Sequence, residues 1–183
     1  MDTDELSRQQ RAVYDAIVNG PRGSGPQHFP LVDTAGHLQG PFGLMVEFPE
    51  IGGPLQALGA ALRYRTTLTG REREIAILTV ARCTASSFER YAHEAAGRAA
   101  GLDETELARL HAGTFVTADA REAAVAMFTA WAVDQPTLTG IDRITAQPLD
   151  RTSIAEVTAL VGYYRILAQL MGLFDVGAPA DPR

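Results

Sequence analysis

Three side chains able to handle protons fall at helical spacing in the stretch Ser86-Ser87-Phe88-Glu89-Arg90-Tyr91-Ala92-His93-Glu94. Residues three or four apart on a helix are neighbours, so Ser86, Glu89 and His93 would line one stripe. A carboxylate beside an imidazole orients it, fixes its tautomer and raises its pKa. That is the physical requirement for a positioned general acid or base. The same letters also have a structural reading. Ser86-x-x-Glu89 is a capping-box pattern, which would occupy both side chains on backbone amides and leave His93 as a partly exposed histidine.

Other residues could join such a site. Glu74 stands where the chain turns strongly apolar, and a buried carboxylate there would need a partner, with Arg71 and Arg73 close in sequence. Arg82 lies in an apolar setting and could snorkel or pair with Glu74 or Glu89. Tyr163 and Tyr164 follow Gly162; they suit aromatic core packing, and a tyrosine lining a pocket could donate to a substrate carbonyl. A glycine within a helix costs about 1 kcal/mol relative to alanine, so Gly162 points to close packing or to space kept for a ligand. Cys83, the lone cysteine, reads as a small buried hydrophobe and excludes an intramolecular disulfide, a CxxC pair or a multi-cysteine zinc site. The histidines at 28, 37, 93 and 111 show no metal-binding spacing, so no metal is expected.

The composition restricts the partners. A formal charge of -6 with interspersed signs argues against nucleic acid, which demands a surplus of Lys and Arg. No apolar run approaches the roughly 20 residues of a membrane span, and the start MDTDELSRQQR has no apolar signal core, so the expected compartment is the cytoplasm. At 183 residues, one domain spanning 1–183 is expected.

The elements that must position these residues read as helices. A first amphipathic helix is expected over Asp4–Asn19, stopped by Gly20-Pro21. Residues 20–43 are rich in Gly and Pro yet carry Phe29, Leu31, Val32 and Leu38, which predicts an ordered loop over the domain body, with His28 or His37 able to enter a site from it. Helices follow over Pro54–Thr66 and 71–85, the latter opened by a Thr69/Glu72 capping box and apolar over most of its circumference. Ser86–Ala100 closes at Gly101, Asp103 caps a helix to about His111, and Thr117–Val133 precedes Pro136. Thr152 or Ser153 is expected to cap a long last helix, with Glu156 completing a second capping box and the tail DVGAPADPR loose. No segment alternates as a strand. The fold class is all-α, with six to eight helices.

Several stretches resemble the carboxymuconolactone decarboxylase family, whose fold is shared with AhpD-type alkylhydroperoxidases. They are Arg-Glu-x-Glu-Ile-Ala-Ile-Leu from Arg71, Phe-Glu-x-Tyr-Ala-His-Glu from Phe88 and Val-Gly-Tyr-Tyr from Val161, and the likeness covers most of residues 40–176. The peroxidase branch has a glutamate followed by Cys-x-x-Cys-x-x-x-His. Here those positions hold Glu74, then Ser86, Glu89 and His93, so both redox sulfurs are missing and the resemblance is to the decarboxylase-like branch. Two departures stand out: Arg90 where that branch has tryptophan, and Gly172 where Leu-Asn-x-Phe is usual.

The resemblance implies a cofactor-independent lyase or isomerase acting on a small carboxylated lactone or related enolisable acid. His93 would donate or accept the proton, oriented by Glu89 or Glu74. Arg82 would bind the substrate carboxylate and Tyr163 its carbonyl. Arg90 would add an anion contact or face solvent, and Ser86 would complete the stripe. It also implies a homo-oligomer, a trimer or hexamer, with the apolar helices 71–85 and 153–174 buried between subunits. Two alternatives remain open: a non-catalytic small-acid binder of the same fold, and a residual peroxidase using Cys83 alone.

Overall fold

In the computed structural model, which describes residues 5–135, 137 and 148–179, the helices are α1 (Arg8–Val18), α2 (Pro21–Ser24), α3 (Pro41–Glu47), α4 (Pro49–Tyr64), α5 (Gly70–Cys83), α6 (Ser87–Ala99), α7 (Glu104–Ala112), α8 (Ala120–Asp134) and α9 (Arg151–Leu173). Eight have seven residues or more and α2 is a single turn. Among the described residues there is no strand, only an isolated antiparallel bridge between Val32 and Leu38. The fold is all-α. No described helix is long and apolar enough to cross a membrane.

The apolarity of α5 is explained within the chain. Residues 74–81 are all buried, because α6, α7, α8 and α9 surround the helix. Its apolar circumference is therefore accounted for within the chain. A second group, α1, α3 and α4, packs beside α9, and one apolar cluster runs from Val13 and Ile17 through Ile75 and Phe128 to Leu160 and Met171.

Side-chain caps set most of the starts, each worth about 1 kcal/mol. Thr69 and Glu72 form the expected box on α5, and Asp103 and Glu106 form one on α7. Gly101, at φ 94°, closes α6 in the left-handed conformation expected of a terminating glycine. Four starts differ from the sequence reading; α8 begins at Ala120 rather than Thr117 because Asp119 caps it. α1 begins at Arg8 because Ser7 and Gln10 make a capping box. α4 begins at Pro49, since a proline at N1 suits a helix start, and Pro54 is carried inside it. α9 is capped by Asp150, whose side chain accepts from the Ser153 amide; Glu156 instead accepts from the amide and hydroxyl of Thr67. The segment 138–147 lies outside the described residues, as do 180–183. Of the tail, the Ala178 amide donates to Ser87 Oγ, so this part is tied to the start of α6.

The loop expected over 20–43 is ordered but shorter: this cover contains the helical turn α2 and ends at Gly40, because Pro41 takes the first position of α3. Gln27 Nε2 donates to the carbonyls of Arg22 and Gly23, stapling α2 to the chain that follows. Phe29 packs edge-on against Phe88, with ring centroids 5.6 Å apart, and also meets Tyr91. The cover ends at Gly40, whose φ is 59°; a β-carbon there would lie 2.1 Å from the Phe88 ring, so only glycine fits.

Candidate active site

Four glutamates are buried: Glu72, Glu74, Glu89 and Glu122. A buried carboxylate needs compensation, and its source separates architecture from chemistry. Glu72 faces Arg121 at 2.5 Å, and Arg121 also reaches Ser153. Glu122 faces Arg71 at 2.7 Å, which bonds Glu106 as well. These pairs lock α5 to α7, α8 and α9. Glu74 and Glu89 converge instead on a histidine.

Glu74, in the second turn of α5, and His93, in the middle of α6, meet because the two helices pack side by side. Glu74 Oε2 accepts from His93 Nδ1 at 2.6 Å. The other ring nitrogen, Nε2, lies 3.3 Å from Glu89 Oε2 and 3.3 Å from the Tyr164 hydroxyl. Tyr164 also stands edge-on to the imidazole, with centroids 5.3 Å apart. The far oxygen of Glu74 faces Arg73 Nε at 3.6 Å and Arg63 Nη1 at 3.8 Å.

The opening ambiguity resolves in both directions. Ser86 Oγ does cap α6, accepting from the Glu89 amide. The Glu89 carboxylate does not return to the Ser86 amide, which donates to the Ala81 carbonyl instead. Glu89 is thus left free for His93, and its Oε1 is buried without a hydrogen-bond partner.

The electrostatics follow from this geometry. Burial works to lower the His93 pKa, but the charge and hydrogen bond of Glu74, joined by those of Glu89, outweigh it and raise it to about 9. Burial works to raise Glu74, yet His93, then Arg63 and Arg73, hold its carboxyl below the usual range. At neutral pH the imidazole is therefore a cation between two carboxylates. Burial pushes the Tyr163 hydroxyl up to about 12 and raises that of Tyr164 well above the usual tyrosine range, so both are donors rather than bases.

His93 and Glu89 open onto a cavity of about 50 Å³, walled by Tyr163, Tyr164, Phe88 and Leu167 and roofed by Arg22, His28 and Phe29 of the cover. His28 therefore enters the site, whereas His37 pairs with Asp33 at 3.3 Å and lines another cavity. Tyr163 is buried in the wall, with room made by Gly59 on α4.

Three sequence-expected residues are not brought to this cavity. Arg82 points outward at the end of α5, where it donates to Cys83 Sγ. Arg90 is exposed on α6, bonding Glu94 at 2.7 Å and His111 at 3.0 Å. Ser86 serves as the cap and borders a separate hollow with Arg82 and Arg90. The physical reason is helical: Arg82 lies about two turns along α5 from Glu74, at the exposed end of the helix, and one residue's step around α6 carries Arg90 off the Glu89 face. Gly162 and Gly172 have no atom near enough to crowd a β-carbon, so neither marks close packing. Cys83 lies outside the cavity and burial raises its thiol pKa, which disfavours a reactive thiolate there.

Sequence reasoning missed Arg22 and Arg63, offered Arg73 only as a partner for Glu74, and assigned the substrate contact to Tyr163 rather than Tyr164. Tyr164 had a signal, since it lies beside Tyr163, but spacing alone could not show which tyrosine reaches the histidine. Among the described residues no cluster of three ligating side chains is arranged to hold a metal ion. No protein-family model matches the chain, and no curated protein matches it. The functional reading therefore rests on these residues.

Proposed function

We propose that the chain is a cofactor-independent acid–base enzyme, a lyase or isomerase acting on a small carboxylated lactone or related enolisable acid. The observation that carries this reading is Glu89. It is a buried carboxylate with one oxygen beside a charged histidine and the other unpartnered, on the wall of a cavity. A structural carboxylate in this chain finds an arginine, as Glu72 and Glu122 do.

The chemistry such a site suits is decarboxylation of a conjugated lactone acid. The bond from the ring carbon to the carboxylate breaks and CO₂ leaves. The bonding electron pair moves into the conjugated carbonyl, giving a dienolate. Tyr163 and Tyr164, held protonated, are suited to donate to the developing oxyanion. A proton from the His93–Glu89 pair then goes to carbon, and the pair recovers it from water. Glu74 is the positioning residue that keeps His93 charged and correctly turned. For this reaction the substrate's own carbonyl is the electron sink. The resemblance to the decarboxylase branch supports the same roles for His93, Glu89 and Glu74. The departures Arg90 and Gly172 lie outside the cavity lining, so they do not argue against it.

The test is turnover of γ-carboxymuconolactone, followed by lactone absorbance and CO₂ release, for wild type, His93→Ala and Glu89→Gln. The expected result is turnover by wild type and a loss of at least about a hundredfold in both variants. Absence of turnover by folded wild type would overturn the decarboxylase reading, and retained binding without turnover would favour a small-acid binder.

Self-assembly is part of the proposal. Ile51 and Leu58 on α4, and Ile166 and Leu173 on α9, leave their side chains exposed, with Leu173 at 74% and Ile51 at 62%. Ile51 and Leu173, with Phe48 and Phe174, line an apolar groove. A contiguous patch of this kind marks an interaction surface, and a second copy of the chain is the occupant we infer.

A further inference from the structure

Arg22 was selected by no sequence motif, and its surroundings set it apart from the other buried or half-buried arginines. Arg71, Arg121, Arg63 and Arg73 each face a glutamate, and Arg165 donates to the Val133 carbonyl. Among the described residues, Arg22 faces no carboxylate within ion-pairing distance. Its Nε, like that of Arg73, is buried without a hydrogen-bond partner, but Arg73 Nε has the Glu74 carboxylate 3.6 Å away and Arg22 has none. Leaving a buried donor unmet is costly, the more so on a charged group. The guanidinium lies over the Phe42 ring, 4.7 Å from its centroid, which fixes its plane without satisfying its donors.

That plane borders the cavity shared by Glu89, His93 and Tyr163. A β-carbon at Gly59 would come within 2.2 Å of the Tyr163 hydroxyl and 3.4 Å of Arg22 Nη2, so the phenol and the guanidinium are gathered over the same glycine. Around the cavity Glu74 and Glu89 are the acids, and Arg22, Arg63, Arg73 and protonated His93 are the cations. Arg63 and Arg73 are engaged by Glu74. Arg22 is the cation left over, beside the reacting groups.

We propose that Arg22 is the anchor for the substrate carboxylate, the role the sequence assigns to Arg82. The inference rests on the acid–base reading above and names what that site recognises: a compact acid, one carboxylate of which takes the guanidinium fork bidentately. The cavity holds only about 50 Å³, and a water needs roughly 10–15 Å³ by the same measure. That is room for about four waters, the size of a small planar acid, and Arg22 meets it from α2 on the cover.

The test uses 2-furoate, a planar five-membered-ring carboxylate, and its neutral counterpart 2-furamide, titrated calorimetrically into the full chain. Furoate is expected to bind wild type, with affinity falling at least tenfold in Arg22→Met and partly recovering in Arg22→Lys. The same substitutions should leave furamide affinity, and furoate affinity in Arg82→Met, within twofold. Methionine keeps the aliphatic stem over Phe42, and thermal unfolding confirms that each variant is folded. Furoate affinity unchanged in Arg22→Met and in Arg22→Lys, or no furoate binding by wild type, overturns the proposal. The two readings fail separately. Arg22-dependent furoate binding without lactone turnover removes the decarboxylase and keeps the anchor. Lactone turnover with an unchanged KM in Arg22→Met removes the anchor and keeps the enzyme.

Discussion

His93 Nδ1 and Glu74 Oε2 lie 2.6 Å apart across the α5–α6 interface, and this contact makes the histidine a cation at neutral pH. The proton on Nε2 is then available to Glu89 and, through it, to the cavity. The acid limb of catalysis should accordingly persist well above the ordinary histidine range. Activity of wild type is expected to fall as pH rises through about 9. In Glu74→Gln, which keeps the shape and removes the charge, that limb should move down by one unit or more. A pH–rate profile with the same limb in both proteins would remove Glu74 from the positioning role.

The same contact links stability to pH. The folded pKa of His93 is raised, from 6.5 to about 9, so its contribution is full below 6.5 and is lost as pH rises through about 9. Glu74 is depressed, so its contribution is present above 4.5 and is lost as pH falls through its lower folded value. The two shifts describe one interaction and are counted once. At about 1.4 kcal/mol per unit, the alkaline loss is of the order of 3 kcal/mol. Urea unfolding at pH 6 and pH 10 measures it, and His93→Gln should abolish most of the difference.

Glu72 and Glu89 provide a controlled comparison, since each is buried near a helix start. Glu72→Gln breaks the contact to Arg121 and should cost about 1–3 kcal/mol of stability, with activity lost only in proportion to unfolding. Glu89→Gln removes no arginine pair. It should cost less than about 1 kcal/mol while lowering kcat at least a hundredfold. Chemical denaturation together with kcat separates the two, and the reverse pattern would make Glu89 a structural residue.

Much of this was legible in the sequence, for identifiable reasons. Capping boxes such as Thr69/Glu72 and terminators such as Gly101 are local, so the helices could be placed from a few letters each. Glu89 and His93 share one helix, and their i,i+4 spacing announced the contact. Arg22 and Arg63 reach the site from α2 and α4, across a tertiary arrangement that no spacing encodes. Arg82 misled because an arginine in an apolar stretch suggests a buried role, while the helix turns it to solvent. The cap at Asp150 was missed because Ser153, the residue whose amide it receives, is itself a good capping residue.

Gly59 is needed for space rather than backbone freedom. Alanine at this position would gain up to about 1 kcal/mol of helix propensity, but its β-carbon would meet the Tyr163 hydroxyl at 2.2 Å. Tyr163 is buried and has little room to withdraw, so strain should outweigh the gain and leave a net loss of about 1–2 kcal/mol. The displaced hydroxyl should also lower kcat. Pairing Gly59→Ala with Tyr163→Phe removes the hydroxyl contact but leaves the ring Cζ at 2.7 Å, so stability should recover only in part and activity not at all. A fully active, more stable Gly59→Ala would show that Tyr163 has no fixed place in the reaction.

The last prediction concerns assembly, and it tests the α4/α9 surface apart from the chemistry. Ile51 and Leu173 make no essential contribution to the interior, being the most exposed of the large apolar side chains on these two helices. A glutamate at either position should therefore leave helix content and thermal stability of the folded chain nearly unchanged. On a free surface it should change nothing else. At an interface between copies it would bury an unpaired charge, which is costly enough to dissociate a complex held by apolar contact. Sedimentation velocity is expected to give an oligomer for wild type and monomer for Ile51→Glu/Leu173→Glu. A wild type that sediments as a monomer at tens of micromolar would assign these side chains to some other partner. If the oligomer instead survives both charges, the subunits meet elsewhere on the molecule.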